Sequence, residues 1–423
     1  MRTILFLSIG LTAVCAQGQV TFTKDVAPIL QEKCQSCHRP DTFAPMSLLT
    51  YEEARPWAKS IKQKVVAREM PPWYIDKTVG VRHFKNDVSL SEQEIATITK
   101  WVDTGAPKGD PKDMPKPRAF DDTDKWRMGQ PDLVVQLPKD QIVPAKGSDR
   151  WIDVLVDSGL TEDRYISGIE VKPVKGFKVV HHVTTSMKHE DDADDGGGDV
   201  QGTFLNEYAL GKNADVFPDG AGRLIKAGTK INFNLHLHSV GQETAANVAL
   251  GLKLYPKGYQ PKYAETTEKV GDPKDLDIPA NTDNARFDAY NTLTKPARLL
   301  SFQPHLHNRG KASCMEAIYP GGHKVEMLSC VSRYQFAWHL VYLYEEDEQP
   351  LLPAGTILHL TSWYDNSTGN KFNPDPDNTI TYGQRTVDEM GGAWISYYNL
   401  TEDEYKQQMA ARKAKQALIA QSE

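Results

Sequence analysis

The sequence predicts a multidomain chain in which a small all-α domain precedes two all-β antiparallel sandwiches. Three observations carry that expectation. Apart from a charged C-terminal run, helical periodicity with caps lies in the N-terminal quarter. Short β-branched and aromatic runs separated by turn residues fill most of the remainder. Two polar, proline-bearing stretches, 108–128 and 257–277, break the chain between them. At 423 residues the chain is too long for one ordinary domain, and length alone suggests roughly three. The expected boundaries are 1–16 for a signal peptide, 17–107 for a haem-bearing domain and 108–128 for a linker. Residues 129–260 and 261–400 would form the two sandwiches, and 401–423 a charged C-terminal helix. A net charge of −7 without a long basic run gives no reason to expect nucleic acid as a partner.

Arg2 precedes the apolar run Ile4 to Val14, too short to span a bilayer but suited to a secretory signal. Small residues follow at Cys15 and Ala16, so the mature chain is expected to start near Gln17 in the periplasm or outside the cell; acylation of Cys15 is the alternative. No later segment is long and apolar enough for a transmembrane helix. In an oxidising compartment Cys314 and Cys330 are expected to be disulfide partners. They flank a stretch that reads as a hairpin turning at Gly321-Gly322.

The helical passage Val26 to Lys33 runs directly into Cys34-Gln-Ser-Cys37-His38. Two thiols at this spacing form thioethers with haem vinyls, and the imidazole that follows becomes an axial iron ligand. A zinc site would need a second cysteine pair, and a redox dithiol a surrounding βαβ pattern; neither is present. Covalent haem c is therefore the expected cofactor. The sixth ligand is expected to be Met70, held by Pro71-Pro72 after an amphipathic helix, with Met46 as competitor. Ser91 to Asp103 opens with a capping box and ends at Gly105. This stretch resembles the small cytochrome c domains fused to exported bacterial redox enzymes.

Strands are expected at Leu133, Trp151 to Val156, Tyr165 to Val171, Phe177 to Thr185, Lys230 to Ser239 and Ala249 to Tyr255. The acidic, Gly-rich run Glu190 to Asp199 reads as a solvated loop, because the carboxylate spacing of a calcium loop is missing. Seven of the twelve histidines fall in adjacent or alternate pairs or in the haem motif, a clustering that scattered core histidines would not produce. His181 and His182 are adjacent, so they face one metal only if the strand is bent or edge-like. His236 and His238 alternate, as do His305 and His307, which are expected on a strand ending in a turn. Met390 in Asp388-Glu389-Met390 offers a thioether, and two imidazoles with a thioether suit copper. His83, His189, His323, His339 and His359 read as structural or solvated.

Adjacent histidines in one sandwich, a later histidine in it, then His-x-His and Asp-Glu-Met in a second sandwich resemble the copper type II, ascorbate-dependent monooxygenases. That family includes peptidylglycine α-hydroxylating monooxygenase and dopamine β-monooxygenase. The similarity runs from about Gln130 to Leu400 and is strongest at Pro304 to Lys311 and at Asp388 to Met390 followed by Tyr397-Tyr398. It implies two jelly-roll sandwiches and two copper ions. One copper, for electron transfer, would sit on His181, His182 and His238, with His236 the ambiguous fourth; the other, the oxygen site, would sit on His305, His307 and Met390. It further implies a monooxygenase acting on a C–H bond of a small organic substrate with O2. Electrons would come from ascorbate or a periplasmic redox protein through the haem. Gln303, Gly392 and Trp394 depart from the peptide enzyme's substrate residues and favour a neutral or aromatic substrate. The alternative outside enzymes is a periplasmic electron-transfer or copper-binding cytochrome protein. A blue-copper site lacks its His2Cys pattern, and structural zinc rarely recruits methionine.

Overall fold

Ser91 accepts from the Glu94 backbone while the Glu94 carboxylate accepts from the Ser91 backbone, the reciprocal pair that the Ser-x-x-Glu spacing predicts. Thr50 and Glu53 repeat the device. The computed structural model describes residues 18–40, 44–120, 126–189, 203–209, 212, 214–271, 273–383 and 385–422. The expected signal peptide at 1–16, Cys15 within it, and the acidic loop lie outside these residues. Among them no helix is long and apolar enough to cross a membrane.

The chain divides into two units. The first comprises Met1–Pro71 and Ser89–Ala119. Its described helices are α1 Ala27–Lys33, α2 Tyr51–Ala54, α3 Ala58–Val66 and α4 Glu92–Asp103, joined by turns and loops. Pro56 breaks what would be one amphipathic helix into α2, a 3-10 turn at Arg55–Trp57, and α3. Phe22, Leu30, Ile61, Ile98 and Trp101 meet in a small core. The expectation of a distinct all-α domain over 17–107 is thereby corrected: four short helices amid loops do not make one. Moreover, Pro72–Val88 belongs to the second unit, where Ile75 bridges to Val331 and Phe84 to Tyr344. Trp73 and Phe84 pack edge-on against Tyr342, and this aromatic burial, not helical pattern, decides where that segment goes.

The second unit comprises Pro72–Val88 and Phe120–Glu423 and is built of strands. Its first half contains β1 Leu133–Gln136, β2 Gln141–Val143, β3 Arg150–Asp157, β4 Arg164–Lys175, β5 Val180–Lys188 and β6 Thr203–Tyr208. It continues with β7 Asp215–Val216, β8 Ala221–Ile225, β9 Lys230–Leu237, β10 Thr244–Leu254 and β11 Tyr263–Val270. Its second half contains β12 Asp277–Ile278, β13 Ala285–Thr292, β14 Ala297–Pro304, β15 Gly310–Ile318 and β16 Val325–Val331. After these come β17 Tyr342–Leu343, β18 Leu351–Leu352, β19 Ile357–Tyr364, β20 Ile380–Thr381 and β21 Ala393–Asn399, and α5 Glu402–Ser422 closes the chain.

Two separate sandwiches are also corrected. One sheet of eleven strands crosses the expected boundary at 260, with central order β1-β10-β4-β8-β11-β21-β14-β17. The junction is β11, which runs parallel to β8 on one side and antiparallel to β21 on the other. Opposite lie two four-stranded sheets, β3-β9-β5-β6 and β13-β19-β15-β16. Ile166, Phe233 and Leu250 belong to one core, and Phe302, Leu360 and Tyr364 to the other. Burying each such side chain is worth roughly 1.5–3 kcal/mol. Cys314 and Cys330 face each other across the β15–β16 hairpin and are disulfide-bonded. Gly321 and Gly322, both at positive φ, make its turn.

Candidate metal centre

On a regular strand His181 and His182 would face opposite ways, but β5 carries a bulge between Val180 and His182 in its pairing with β9. The extra residue is His181, and the bulge turns it onto the face of its neighbour. His182 lies directly across from His236 on β9, and His236 across from Trp151 on β3. The Nδ1 atom of His182 is 3.2 Å from that of His181 and 3.4 Å from that of His236. All three residues can bring one ligand atom within 4.8 Å of one another. On its far side the His236 ring places Nε2 2.8 Å from the Asp149 carboxylate, and it stacks on Trp151 at 4.3 Å. A proton on Nε2 donated to Asp149 leaves the Nδ1 lone pair aimed at the cluster.

His236 thus occupies the place assigned from sequence to His238. The reason is that β9 ends at Leu237. His238, beyond it, gives its backbone N–H to Val179, its ring centre lies 5.9 Å from that of His181, and its buried Nδ1 has no hydrogen-bond partner.

The second group sits not on a strand but in the turn after one, a correction of the sequence expectation. β14 ends at Pro304, and the bond from His305 N–H to the Gly392 carbonyl (2.9 Å) closes its pairing with β21. Leu306 is turned into the core, with its N–H given to the Tyr334 hydroxyl (3.1 Å) and its carbonyl accepting from it (2.8 Å). His305 and His307 consequently share the other side, with ring centres 5.5 Å apart. His307 Nδ1 lies 3.2 Å from the Asp388 carbonyl, so donation there leaves Nε2 available.

Glu389 ties this turn to the methionine. Its fully buried carboxylate accepts the backbone N–H of His307, of Arg309 (2.9 Å) and of Met390 (3.0 Å). Burial pushes its carboxyl up to about 7 against the opposing effect of those three bonds. The Tyr364 hydroxyl donates to the Met390 carbonyl at 2.9 Å. Arg309 is buried and serves the turn, donating to Asn366 and to the Val387 carbonyl. The sequence showed Asp-Glu-Met as a source of a thioether; that its glutamate is the clamp follows only from the fold.

The two groups open onto one cavity of about 170 Å³, with His182, His236, His305, His307, His339 and Met390 in its wall. Burial lowers the imidazoles of the wall, His182 and His305 well below their ordinary range, and it lowers His181, His307 and His339 to about 4. They are neutral at neutral pH, the form that binds metal. The donor chemistry fits copper: three imidazoles in one group, two imidazoles with a thioether in the other.

The rest of the wall shows where the residues named for a substrate lie. Gln303 does not line the cavity; it is buried and donates to Glu207, which does. A cation absent from the sequence reading comes from β11: Lys269 lies opposite Trp394 and lines the cavity with it. A Cβ at Gly392 would meet Lys269 Cε at 2.6 Å, so a side chain there would push the lysine chain aside. Trp394 stacks on Phe204 at 4.4 Å. The wall is therefore charged as well as aromatic.

In the first unit, Cys34 and Cys37 form no disulfide and follow α1 through the bonds Cys34 N–H to Leu30 and His38 N–H to Cys34, both 2.9 Å. Burial raises the Cys34 thiol to about 12. His38 Nδ1 lies 3.2 Å from the Met46 carbonyl, which leaves Nε2 as the free edge for iron. That contact puts the Met46 backbone on the far edge of the ring. Met70 is half-buried, past the end of α3. Of the remaining histidines, His359 bridges Asp288 and Glu316 at 2.7 Å each, and His83 pairs with Glu348. His189 faces the Ala227 carbonyl at 3.2 Å. His339, read from sequence as structural or solvated, is buried, with its ring centre 5.1 Å from that of His305 and 5.8 Å from that of His182.

No family model matches the chain, and no curated protein does. Among solved structures, the major capsid protein P2 of bacteriophage PM2 aligns at 8% identity over 63% of this chain and 96% of that one, with a TM-score of 0.28. A Paenibacillus xanthan lyase aligns at 8% over 68% of this chain and 28% of its own, TM-score 0.16. The infectious bursal disease virus VP2 subviral particle aligns at 9% over 67% and 80%, TM-score 0.18. At these scores the likenesses carry no argument about fold or function.

Proposed function

We propose that this chain is an exported haem- and copper-dependent monooxygenase that hydroxylates a C–H bond of a small organic substrate. The carrying observation is the convergence of two imidazole groups and the Met390 thioether on a single cavity. Copper bound there would supply one-electron chemistry with O2, which imidazole and thioether donors suit. His181, His182 and His236 would hold the electron-transfer ion, and His305, His307 and Met390 the oxygen-site ion. Glu389 fixes the spacing of the latter set through three backbone bonds, and Asp149 fixes the His236 ring. Lys269 and Trp394 offer a substrate a cationic and an aromatic contact. Cys34, Cys37 and His38 would carry covalent haem, with Met70 the proposed sixth ligand, and electrons from ascorbate or a periplasmic redox protein would enter there.

Metal analysis, an absorption spectrum and reductant-dependent O2 consumption test this on protein matured in a haem-attaching periplasm. One haem and two coppers per chain are expected, with hydroxylation of small organic compounds. Met390→Leu should keep the fold, costing under about 1.5 kcal/mol, while abolishing turnover. Zinc in both groups, or no covalent haem, would sink the proposal. Haem and copper without any hydroxylation would assign the alternative, a periplasmic electron-transfer or copper-binding protein.

A further inference from the structure

Glu207 on β6 lies directly across from Thr184 on β5, and Thr184 across from Asn234 on β9. From His182 onward the β5–β9 pairing is regular, so these three residues share the sheet face of His182 and His236, one alternation along the strands. All five line the cavity of about 170 Å³. Glu207 is only 5% exposed. One of its carboxyl oxygens accepts from the Gln303 amide, and the other has no hydrogen-bond partner among the described residues.

No cation pairs with this carboxyl. Lys212 is the nearest positive charge to act on it, and both oxygens of Asp215 hold that ammonium, at 2.8 and 3.0 Å. Tyr334 is the other titratable neighbour, and its hydroxyl is occupied by Leu306. Burial pushes the Glu207 carboxyl above its ordinary value, against the pull of Lys212 and the Gln303 bond.

Behind Gln303 lies a second pocket, of about 60 Å³, lined by Gln303, Thr267, Ser301, Ser396, Lys212 and Asp215. A polar pocket of that size has room for water. Trp394, paired with Gln303 across β14 and β21, is in the wall of both spaces. The Glu207–Gln303 pair and Trp394 therefore form the partition between a polar pocket and the metal cavity.

Hydroxylation of a C–H bond by O2 takes up two electrons, from the reductant, and two protons, and it releases one water. We propose that Glu207 is the proton-transfer residue of the cavity: its O–H bond breaks to protonate the oxygen that leaves as water, and the carboxylate regains a proton from water in the pocket behind Gln303. The assignment rests on the copper reading above.

The test uses full-length protein and two readouts. In metal-free protein at neutral pH, the infrared difference between parent and Glu207→Gln should contain the band of a protonated carboxylic acid, shifting in D2O. Glu207→Asp should move that band rather than remove it, and it stands in if the Gln variant does not fold. In copper-loaded protein, Glu207→Gln should lower turnover about 100-fold at unchanged KM and copper content, and added acetic acid should restore part of it. An ionised carboxylate in the difference spectrum, or turnover equal to the parent's, overturns the proposal and leaves the copper reading standing. Loss of turnover together with copper, unrelieved by the weak acid, makes Glu207 a builder of the site and overturns the proposal too. A parent protein that binds no copper overturns both readings.

Discussion

Asp149 touches no metal-ligating atom, yet its carboxylate 2.8 Å from His236 Nε2 determines which ring nitrogen of that histidine is left for a metal. Without it the ring keeps its stack on Trp151 and its contacts with His181 and His182, none of which fixes which nitrogen carries the proton. Outer partners of this kind typically contribute 10–100-fold to metal affinity. Asp149→Ala should therefore weaken copper at the three-histidine group by about 10–100-fold and leave the methionine-containing group unchanged, read by chelator competition. An equal loss at both groups, or none at either, would contradict this. Glu389 shows the same logic in the backbone. A glutamate that accepts three N–H bonds, one of them from His307 82 residues away in sequence, positions His307 and Met390 together.

At the scale of elements, the bulge in β5 and the early end of β14 are what make the histidine pairs usable. A regular β5 would send His181 away from His182; a longer β14 would carry His305 and His307 into pairing with β21. The β15–β16 hairpin supports this arrangement from behind, since β15 begins at Gly310, just after the turn. Its disulfide closes a loop with a sequence separation of 16, for which chain entropy gives about 3 kcal/mol. Cys314→Ala/Cys330→Ala should lose about that much stability in denaturant unfolding while still binding copper at both groups. A change below roughly 1 kcal/mol would mean that the unfolded chain is already restrained there.

For the whole molecule, the long sheet through β8, β11 and β21 makes both β halves one unit, while Phe22, Leu30 and Trp101 form a core of their own. Separate cores imply separable loading of cofactors. Cys34→Ala/Cys37→Ala protein should lack covalent haem by its absorption spectrum yet bind two coppers per chain by metal analysis. Copper binding that collapses with the haem would show that the helical unit is needed to build the β unit.

The histidine pairs, the Cys34–Cys37–His38 spacing, the Cys314–Cys330 bond, the Ser91 capping box and the strand-rich remainder were legible in the sequence because each is local. They rest on spacing, periodicity and caps that neighbouring residues satisfy among themselves. The errors are all long-range. Nothing near Trp73 or Phe84 announces that Pro72–Val88 packs against Tyr342, so the helical region was drawn too large and too regular. The boundary at 260 failed because β11 pairs with strands on both sides of it. His236 in place of His238, Lys269 in the cavity wall and His339 beside His305 and His182 were likewise decided by register, burial and loop anchoring. The sequence by itself determined which chemistry the chain can offer: imidazoles, a thioether and a thiol pair. Only the tertiary structure decided which of those donors meet, because convergence depends on a single-residue bulge, a strand end and a buried glutamate, none of which alters the local pattern.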